Sequence, residues 1–342
     1  MCNKEFDILI IEDPEEIFNY LQLGINLPIF PEFKKFILND LKVFNSKSML
    51  LLEDGDICGH VLIYFSNKDC LYFGFFSVVN HFPKRINFLI SQLIKFAREN
   101  NFRKIRGPIN IPTLIFGWGF LEKGCRDTIF LENPSMPDIY IELFKKNNFQ
   151  VFKRYFSYEG KTPKIPPERF KSYDVSDYEF FYLNKWDEID PFKEVIQYLT
   201  ATNLSPVSSI TPHPEKVFDN FINIAKSLFL PELFIFIRYK KTNDIIGFYL
   251  GIPNIYHKNN KGYFHSFIAY LGVVDHDHRR KGVGIKMSLL LFENAIQNKM
   301  NKVLIPVSGD LNVVKDIMIN LYNLDLTRKF TIFEKKLNNI DI

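Results

Sequence analysis

The chain has 342 residues, of which 46% are hydrophobic and 24% charged, and its formal net charge is +4. These proportions exclude collagen-like, disordered and disulfide-scaffold proteins, which all need a stronger compositional bias. The 43 basic residues nearly balance the 39 acidic ones and form no long basic run, so a dedicated nucleic-acid-binding protein is not expected. The length predicts two domains.

Cysteine spacing and the start of the chain bear on the compartment. Cys2, Cys58, Cys70 and Cys125 form no C-x-x-C pair and lie in no Cys/His cluster with metal-ligand spacing, so we expect free thiols and no metal site. The acidic first 14 residues lack the layout of a signal peptide, and no stretch of 18 apolar residues occurs. These features predict a cytoplasmic protein without a membrane partner.

The first half of the chain reads as a βα series. An Asp-Gly turn at Asp54-Gly55 between apolar runs predicts a hairpin, and the apolar spacing from Ile86 to Ala97 predicts an amphipathic helix opened by Pro83. The predicted elements are strands at 6–11, 49–53, 57–65, 71–79, 104–106 and 153–158, and helices at 33–43, 83–97 and 138–146.

The second half repeats this order. A polar turn separates two apolar runs, and a long apolar strand leads through a glycine-containing turn into a helix. The predicted strands are 234–239, 245–251, 264–274, 302–307 and 329–335, and the predicted helices are 283–299 and 311–322.

A proline-rich stretch near the middle predicts a linker. Lys161–Glu168 contains three prolines, which disfavour both helix and central strand. We therefore predict a first domain at 1–160, a linker at 161–172 and a second domain at 173–342. The closing strands of the two halves, Lys153–Glu159 and Arg328–Glu334, are similar to each other, which indicates an internal duplication or a chance similarity of two amphipathic strands.

The stretch from Leu271 to Ile285 carries the chemistry. It runs from a strand through a polar turn into a helix that Gly282 and Gly284 open. The first amides of a helix have no internal partner and attract anions, and glycines let a ligand approach the backbone. Arg279, Arg280 and Lys281 add positive charge there, so the pattern predicts a pyrophosphate site.

The spacing Arg279-x-x-Gly282-x-Gly284, preceded by Val274, resembles motif A of the GCN5-related N-acetyltransferases, the GNAT superfamily. The resemblance implies an α/β fold of two GNAT-like domains, each a twisted mixed sheet flanked by helices. It implies that backbone groups of Val273 and Val274 bind the pantetheine arm of acetyl-CoA. The amides from Arg279 through Val283 to Gly284 would bind its pyrophosphate, and Asn312 is similar to the Asn that opens the next helix in this family.

The first half lacks these glycines. The equivalent stretch, Val79–Phe88, has bulky Phe82 and Phe88 instead, and Phe144 stands where family members have a tyrosine. We therefore expect the first domain to be a degenerate copy that does not bind CoA in the usual way.

Candidate catalytic residues are less clear. By resemblance, Tyr322 is a possible general acid, although counting from Asn312 reaches Ile319 instead. For the general base, the cluster Asp275–His278, His265 and Ser308 stay open beside their structural roles as capping, core and turn residues.

These features predict an acetyl-CoA-dependent N-acetyltransferase that acts on a small-molecule or peptide amine by direct transfer, as a monomer or homodimer. One alternative is a non-catalytic acyl-CoA-binding or regulatory protein, which the uncertain position of Tyr322 favours. Another is an aminoacyl or long-chain acyl transferase, since some of the 36 Phe residues could line an acyl channel. Core packing explains most of that aromatic content.

Overall fold

The computed structural model describes residues 5–24, 27–65, 69–124, 129–131, 134, 136–164, 173–203, 214–258, 262–308 and 312–337. Contacts divide the chain into two compact units. Unit 1 comprises Met1–Tyr155, Thr211–Asn220 and Arg328–Ile342, and unit 2 comprises Phe156–Ile210 and Phe221–Thr327. The sequence-based boundaries at 160 and 173 stay a prediction, and residues 165–172 of the expected linker lie outside the described part.

The first half of the chain forms most of unit 1. Its strands are β1 (Phe6–Ile11), β2 (Lys47–Glu53), β3 (Asp56–Tyr64), β4 (Cys70–Val78), β5 (Lys104–Gly107), β6 (Phe120–Gly124) and β7 (Gln150–Lys161). Its helices are α1 (Pro14–Tyr20), α2 (Lys34–Val43), α3 (Pro83–Glu99), α4 (Thr113–Phe116) and α5 (Ile139–Lys146). Three 3-10 turns at Leu21–Gly24, Pro31–Phe33 and Val79–His81 connect them.

The second half forms most of unit 2. Its strands are β8 (Tyr178–Tyr182), β9 (Phe234–Tyr239), β10 (Asp244–Pro253), β11 (Ser266–Val274), β12 (Lys302–Ser308) and β13 (Asp325–Lys336). Its helices are α6 (Lys193–Asn203), α7 (Pro214–Leu228), α8 (Val283–Gln297) and α9 (Asn312–Asp316), which continues as a π turn at Ile317–Leu321. Further 3-10 turns lie at Trp186–Phe192, Pro231–Leu233 and His276–His278.

Each unit contains a mixed sheet with the same order. In unit 1 the order is β1-β2-β3-β4-β5, antiparallel up to β4 and parallel between β4 and β5. In unit 2 the order is β8-β9-β10-β11-β12, antiparallel up to β11 and parallel between β11 and β12. Helices pack on each sheet, so the predicted mixed α/β class is confirmed.

The cores follow the predicted amphipathic faces. In unit 1, α3 buries Ile86, Leu89, Ile90, Leu93 and Ala97 in one cluster with residues of β3, β4 and α5. In unit 2, α8 buries Val283, Met287, Leu291, Phe292 and Ala295 in an equivalent cluster. The spacing of three and four residues places these side chains on one helical face, which explains why the sequence pattern located both helices.

The closing strand of each half completes the sheet of the other unit. In unit 1, β5 pairs with β13, where Phe333 lies opposite Gly107, and Arg106 Nε donates to Glu334 at 2.9 Å. In unit 2, the second part of β7 lies next to β12, and Glu159 pairs with Lys302 at 3.2 Å. Residues 328–342, which the sequence assigns to the second domain, are therefore part of the first compact unit.

Candidate functional site

Strands β11 and β12 separate beyond their first three pairs. The parallel register joins Ser266–Ile268 to Lys302–Leu304 and ends there, although the backbone of both strands is described throughout. Six further residues, Ala269–Val274, extend about 20 Å past that point while β10 pairs with their other edge. Among the described residues no strand pairs with this edge beyond Ile268, and backbone groups on such an edge can bind an extended ligand that carries amide groups.

The polar turn after β11 is held by its own residues. Asp275 Oδ1 accepts the amide of Asp277 at 3.0 Å, so it caps the 3-10 turn. The hydroxyl of Tyr178 lies 3.1 Å from His278 Nδ1, and the side chains of His276 and Asp277 point into solvent. Capping and packing thus account for Asp275 and His278, which sequence reasoning had left open as candidate bases.

Helix α8 begins at two glycines with different roles. Gly282 is its N-cap with φ +80°, a left-handed conformation that favours glycine. A Cβ at Gly282 would lie 2.4 Å from Cγ of Tyr173, whereas one at Gly284 would find its nearest neighbour, Cγ2 of Val274, at 3.9 Å. The space beside Gly284 is therefore open, next to unpaired first-turn amides and the positive end of the helix dipole. This is a suitable site for a phosphate or pyrophosphate group.

The three predicted cations of the turn separate into two groups. The guanidinium of Arg279 donates to the carbonyl of Val274 at 2.9 Å and to both oxygens of Asn203 at 3.1–3.2 Å, so it ties the turn to the end of α6. Arg280 and Lys281 are exposed, and neither forms an ion pair with any residue of the described ranges. These two side chains are the cations available to a bound anion.

Tyr322 lies in the core just after the π turn. It is 5% exposed, and its ring meets Phe292 edge-to-face at 5.2 Å. Its hydroxyl lies beside Ser288, whose own hydroxyl donates to the carbonyl of Gly284 at 2.9 Å. Burial raises the pKa of Tyr322, which keeps the phenol protonated at neutral pH, as a general acid must be.

Two residues near Tyr322 were missed from the sequence. Ser288 follows Gly284 by four residues and so lies on the same face of α8, a spacing that is readable in the sequence. Tyr249 on β10 lies opposite Gly272, and burial together with the nearby Tyr322 raises its pKa well above the usual range. Nothing local in the sequence marks Tyr249, because only strand pairing places it there.

The remaining candidates lie elsewhere or outside the described part. His265 precedes β11, and its backbone bonds to His257 and Asn301 place it at the end of the strand opposite the turn, about 30 Å along the chain from Val274. Ile319, the residue reached by counting from Asn312, is an exposed aliphatic residue with no proton to donate. The side chains of Ser308 and Asn312 lie outside the described residues.

The equivalent region of unit 1 is filled by the protein itself. Strands β4 and β5 also pair at only three positions, Cys70–Tyr72 with Lys104–Arg106. Beyond them, Asn110 Oδ1 accepts the amide of Phe75 at 2.7 Å, and the hydroxyl of Tyr140 accepts the amide of Val78 at 2.9 Å. The amides of Phe75 and Val78 are therefore satisfied without a ligand.

The start of α3 also lacks an anion site. Its N-cap is Phe82, and Pro83 at the first helical position has no amide hydrogen. Arg85 donates to the carbonyl of Val79 at 3.1 Å and pairs with the nearly buried Glu53. Of the bulky residues that the sequence indicated in this half, Phe82 is the N-cap of α3 and so lies where unit 2 has Gly282.

Two features are absent from the described residues. No group of three or more His, Cys, Asp or Glu side chains within those ranges is placed to hold a metal ion. No helix among them combines the length and apolar character needed to cross a membrane.

No family model matches the chain, and no curated protein does so either. Solved structures do match it. A tandem GNAT protein from the clavulanic acid biosynthesis pathway aligns with 98% of this chain and 100% of its own at 10% identity and a TM-score of 0.62. A GCN5-related N-acetyltransferase from Sphaerobacter thermophilus aligns with 98% of each chain at 11% identity and a TM-score of 0.56.

The chain has a tandem GNAT fold. A third match, the GCN5-related glucosamine N-acetyltransferase region of a fungal multi-domain GH3 beta-N-acetylglucosaminidase, supports this at 12% identity and a TM-score of 0.66, over 98% of this chain and 38% of that one. At such identities the likeness establishes the fold, and the resemblance read from Arg279-x-x-Gly282-x-Gly284 agrees with it.

Proposed function

We propose that the protein is an acyltransferase whose unit 2 binds acetyl-CoA and transfers the acetyl group to an amine. The observation that carries this proposal is the open edge of β11, which ends at a helix N-terminus where Gly282 is left-handed and the space beside Gly284 is free. The tandem GNAT fold supports it, since the structural matches include proteins described as N-acetyltransferases.

The pantetheine arm and the pyrophosphate of acetyl-CoA each have a matching part of the site. The backbone of Val273 and Val274 would bond the pantetheine arm, and the first-turn amides from Val283 onward would bind the pyrophosphate. Arg280 and Lys281 would add charge to that site, while Arg279 would keep the turn in place through its bonds to Val274 and Asn203. Asn312, at the start of α9, stays a proposed contact of the cosubstrate.

The transfer itself needs a neutral amine and a proton donor. The amine nitrogen forms a bond to the acetyl carbonyl carbon, and the carbon–sulfur bond breaks. Tyr322 would give its hydroxyl proton to the leaving sulfur, the proton displaced from the amine nitrogen would pass to solvent, and the tyrosinate would take a proton back from solvent. The contact of Tyr322 with Ser288, which itself donates to the carbonyl of Gly284, would place that hydroxyl at the first turns of α8.

The acceptor is proposed only as a small-molecule or peptide amine. The 43 basic residues nearly balance the 39 acidic ones, and Arg280 and Lys281 are only two exposed cations. This charge distribution supports neither a nucleic-acid nor a membrane partner. The free, buried thiols of Cys58 and Cys70 support a cytoplasmic location.

A paired substitution tests this function. Gly282→Trp disrupts the N-cap beside the anion site, because its Cβ would lie 2.4 Å from Cγ of Tyr173, whereas Gly262→Trp places the same side chain at another glycine with φ +80°, which has no neighbour within 4 Å. We expect thiol release from acetyl-CoA over a panel of amines for wild type and Gly262→Trp, and none for Gly282→Trp. Equal release from both variants would contradict the proposed site. Acetyl-CoA binding without release on any amine would indicate a non-catalytic acyl-CoA-binding protein instead.

A further inference from the structure

The aromatic ring of Tyr173 packs directly on the backbone of Gly282. The Cγ, Cβ and Cδ1 atoms of Tyr173 lie 2.4–2.7 Å from the position a Cβ on Gly282 would take. Only a residue without a side chain allows this approach. Gly282 therefore serves a second purpose besides its left-handed φ, because it seats an aromatic ring against the N-cap of α8.

The ring lies beside the anion site without closing it. Tyr173 is 41% exposed, so part of the ring is open to solvent. The nearest atom to a Cβ on Gly284 is Cγ2 of Val274 at 3.9 Å, and no atom of Tyr173 is nearer. A ligand phosphate can thus reach the first-turn amides while the ring remains seated on Gly282.

The groups around this ring match the nucleotide end of CoA. The exposed Arg280 and Lys281 directly precede Gly282 in the chain, and phosphate groups need such cations. A purine needs a flat apolar surface, and aromatic side chains stack on bases irrespective of their identity. The partly exposed ring of Tyr173, packed on Gly282 at the start of α8, supplies that surface.

We propose that Tyr173 stacks on the adenine of the acyl-CoA and so makes unit 2 prefer CoA thioesters to thioesters of phosphopantetheine alone. This inference rests on the proposed function, because it needs a CoA thioester at the α8 site. It adds a specificity-determining residue to that site: Tyr173 as the contact of the adenine base.

The test compares two donors on matched variants. The dissociation constants of acetyl-CoA and S-acetyl-4′-phosphopantetheine are measured calorimetrically for wild type, Tyr173→Ala and Tyr173→Phe. Tyr263→Ala is the control, since Tyr263 is 45% exposed in the same unit and lies near the opposite end of β11.

We expect Tyr173→Ala to weaken acetyl-CoA binding about 10-fold, the effect of one lost base–aromatic stack, and to leave binding of the phosphopantetheine thioester unchanged. Tyr173→Phe keeps the ring and should bind acetyl-CoA within about 3-fold of wild type, and Tyr263→Ala should change neither constant.

Three results would overturn the inference. Unchanged acetyl-CoA binding in Tyr173→Ala would show that the ring makes no contact with the base. Tighter binding of both donors would show that the ring obstructs the site. Equal weakening of both donors would show that Tyr173 only supports the anion site. If wild type binds neither donor, the proposed function fails as well, so the two failures are distinguishable.

Discussion

The two units place the same strand in opposite surroundings. Val78 of β4 and Val274 of β11 are equivalent, since each pairs with a glycine of the preceding strand, Gly59 and Gly247. From Phe73 to Phe76, β4 is buried, and its donors bind Asn110 and Tyr140, whereas the same stretch of β11 is partly exposed around Gly272. Both units therefore contain a parallel strand pair that ends after three positions. The residues beside the unpaired part of the strand decide whether a ligand can bind there.

The largest expected effect concerns the strand that unit 1 receives from the end of the chain. Phe333 of β13 is fully buried and stacks on Phe144 at 6.0 Å. Phe333→Ala should lower the free energy of unfolding of unit 1 by about 4 kcal/mol, through lost burial and a cavity. Hydrogen exchange of peptides from β2 to β4 measures this.

Leu326 on the same strand is 50% exposed, so Leu326→Ala should change stability by less than about 0.5 kcal/mol. If Phe333→Ala reduced exchange protection in unit 2 and left unit 1 unaffected, β13 would not stabilise the sheet of unit 1.

Two buried titratable groups should make unit 1 respond to pH differently from unit 2. Burial lowers the pKa of His60 to about 4, so as pH falls below 6.5 only the unfolded chain gains this proton, and stability falls. Burial raises the pKa of Asp40 to about 7, so stability falls as pH rises from 3.8 towards 7. The two effects oppose each other in the wild type.

Asp40→Asn removes the titration of Asp40, so the pH dependence due to His60 can be measured alone. In this variant unit 1 should lose about 3 kcal/mol between pH 6.5 and pH 4, measured by hydrogen exchange. Unit 2 is the internal control, because Phe248 stands at the position equivalent to His60. A flat pH profile for unit 1 in Asp40→Asn would contradict the assignment of His60 as a buried neutral side chain.

Replacing Tyr322, the proposed general acid, should change kcat without changing the affinity for acetyl-CoA. Tyr322→Phe keeps the ring on Phe292 and loses only the hydroxyl, so kcat should fall about 100-fold. The dissociation constant of acetyl-CoA should stay unchanged, since the ring packing and the α8 site are intact. An unaltered kcat would exclude Tyr322 as the proton donor.

The smallest expected effect tests whether unit 1 can be opened. Asn110 is buried, accepts the amide of Phe75 and donates to the carbonyl of Phe116 at 3.1 Å. Asn110→Ala leaves both groups unpaired and should cost about 2 kcal/mol of stability in unit 1. It should create no second acetyl-CoA site, because Phe82 and Pro83 still occupy the start of α3. A second bound equivalent would show that Asn110 alone closes the gap.

Local patterns in the sequence predicted much of this structure. The spacing of apolar residues located α3 and α8, and the Asp-Gly turn located the hairpin of β2 and β3, because these signals act within one element. The glycine spacing located Gly282 and Gly284 at the start of α8. All these features depend on residues close together in the chain.

Features that depend on distant residues could not be predicted. The placement of β13 beside β5 rests on pairing across more than 200 residues, and Arg279 meets Asn203 only because α6 ends near the turn. Likewise Tyr173 lies more than 100 residues before Gly282, and no local pattern connects them. Such contacts come from tertiary packing, which a reading of local periodicity does not contain.

The stoichiometry of acetyl-CoA binding tests the central claim most directly. Calorimetric titration of the full chain should give one equivalent, bound by unit 2 alone, with binding lost in Gly282→Trp and retained in Gly262→Trp. Two equivalents, or one equivalent that persists in Gly282→Trp, would contradict the assignment of an open site to unit 2 and a filled one to unit 1.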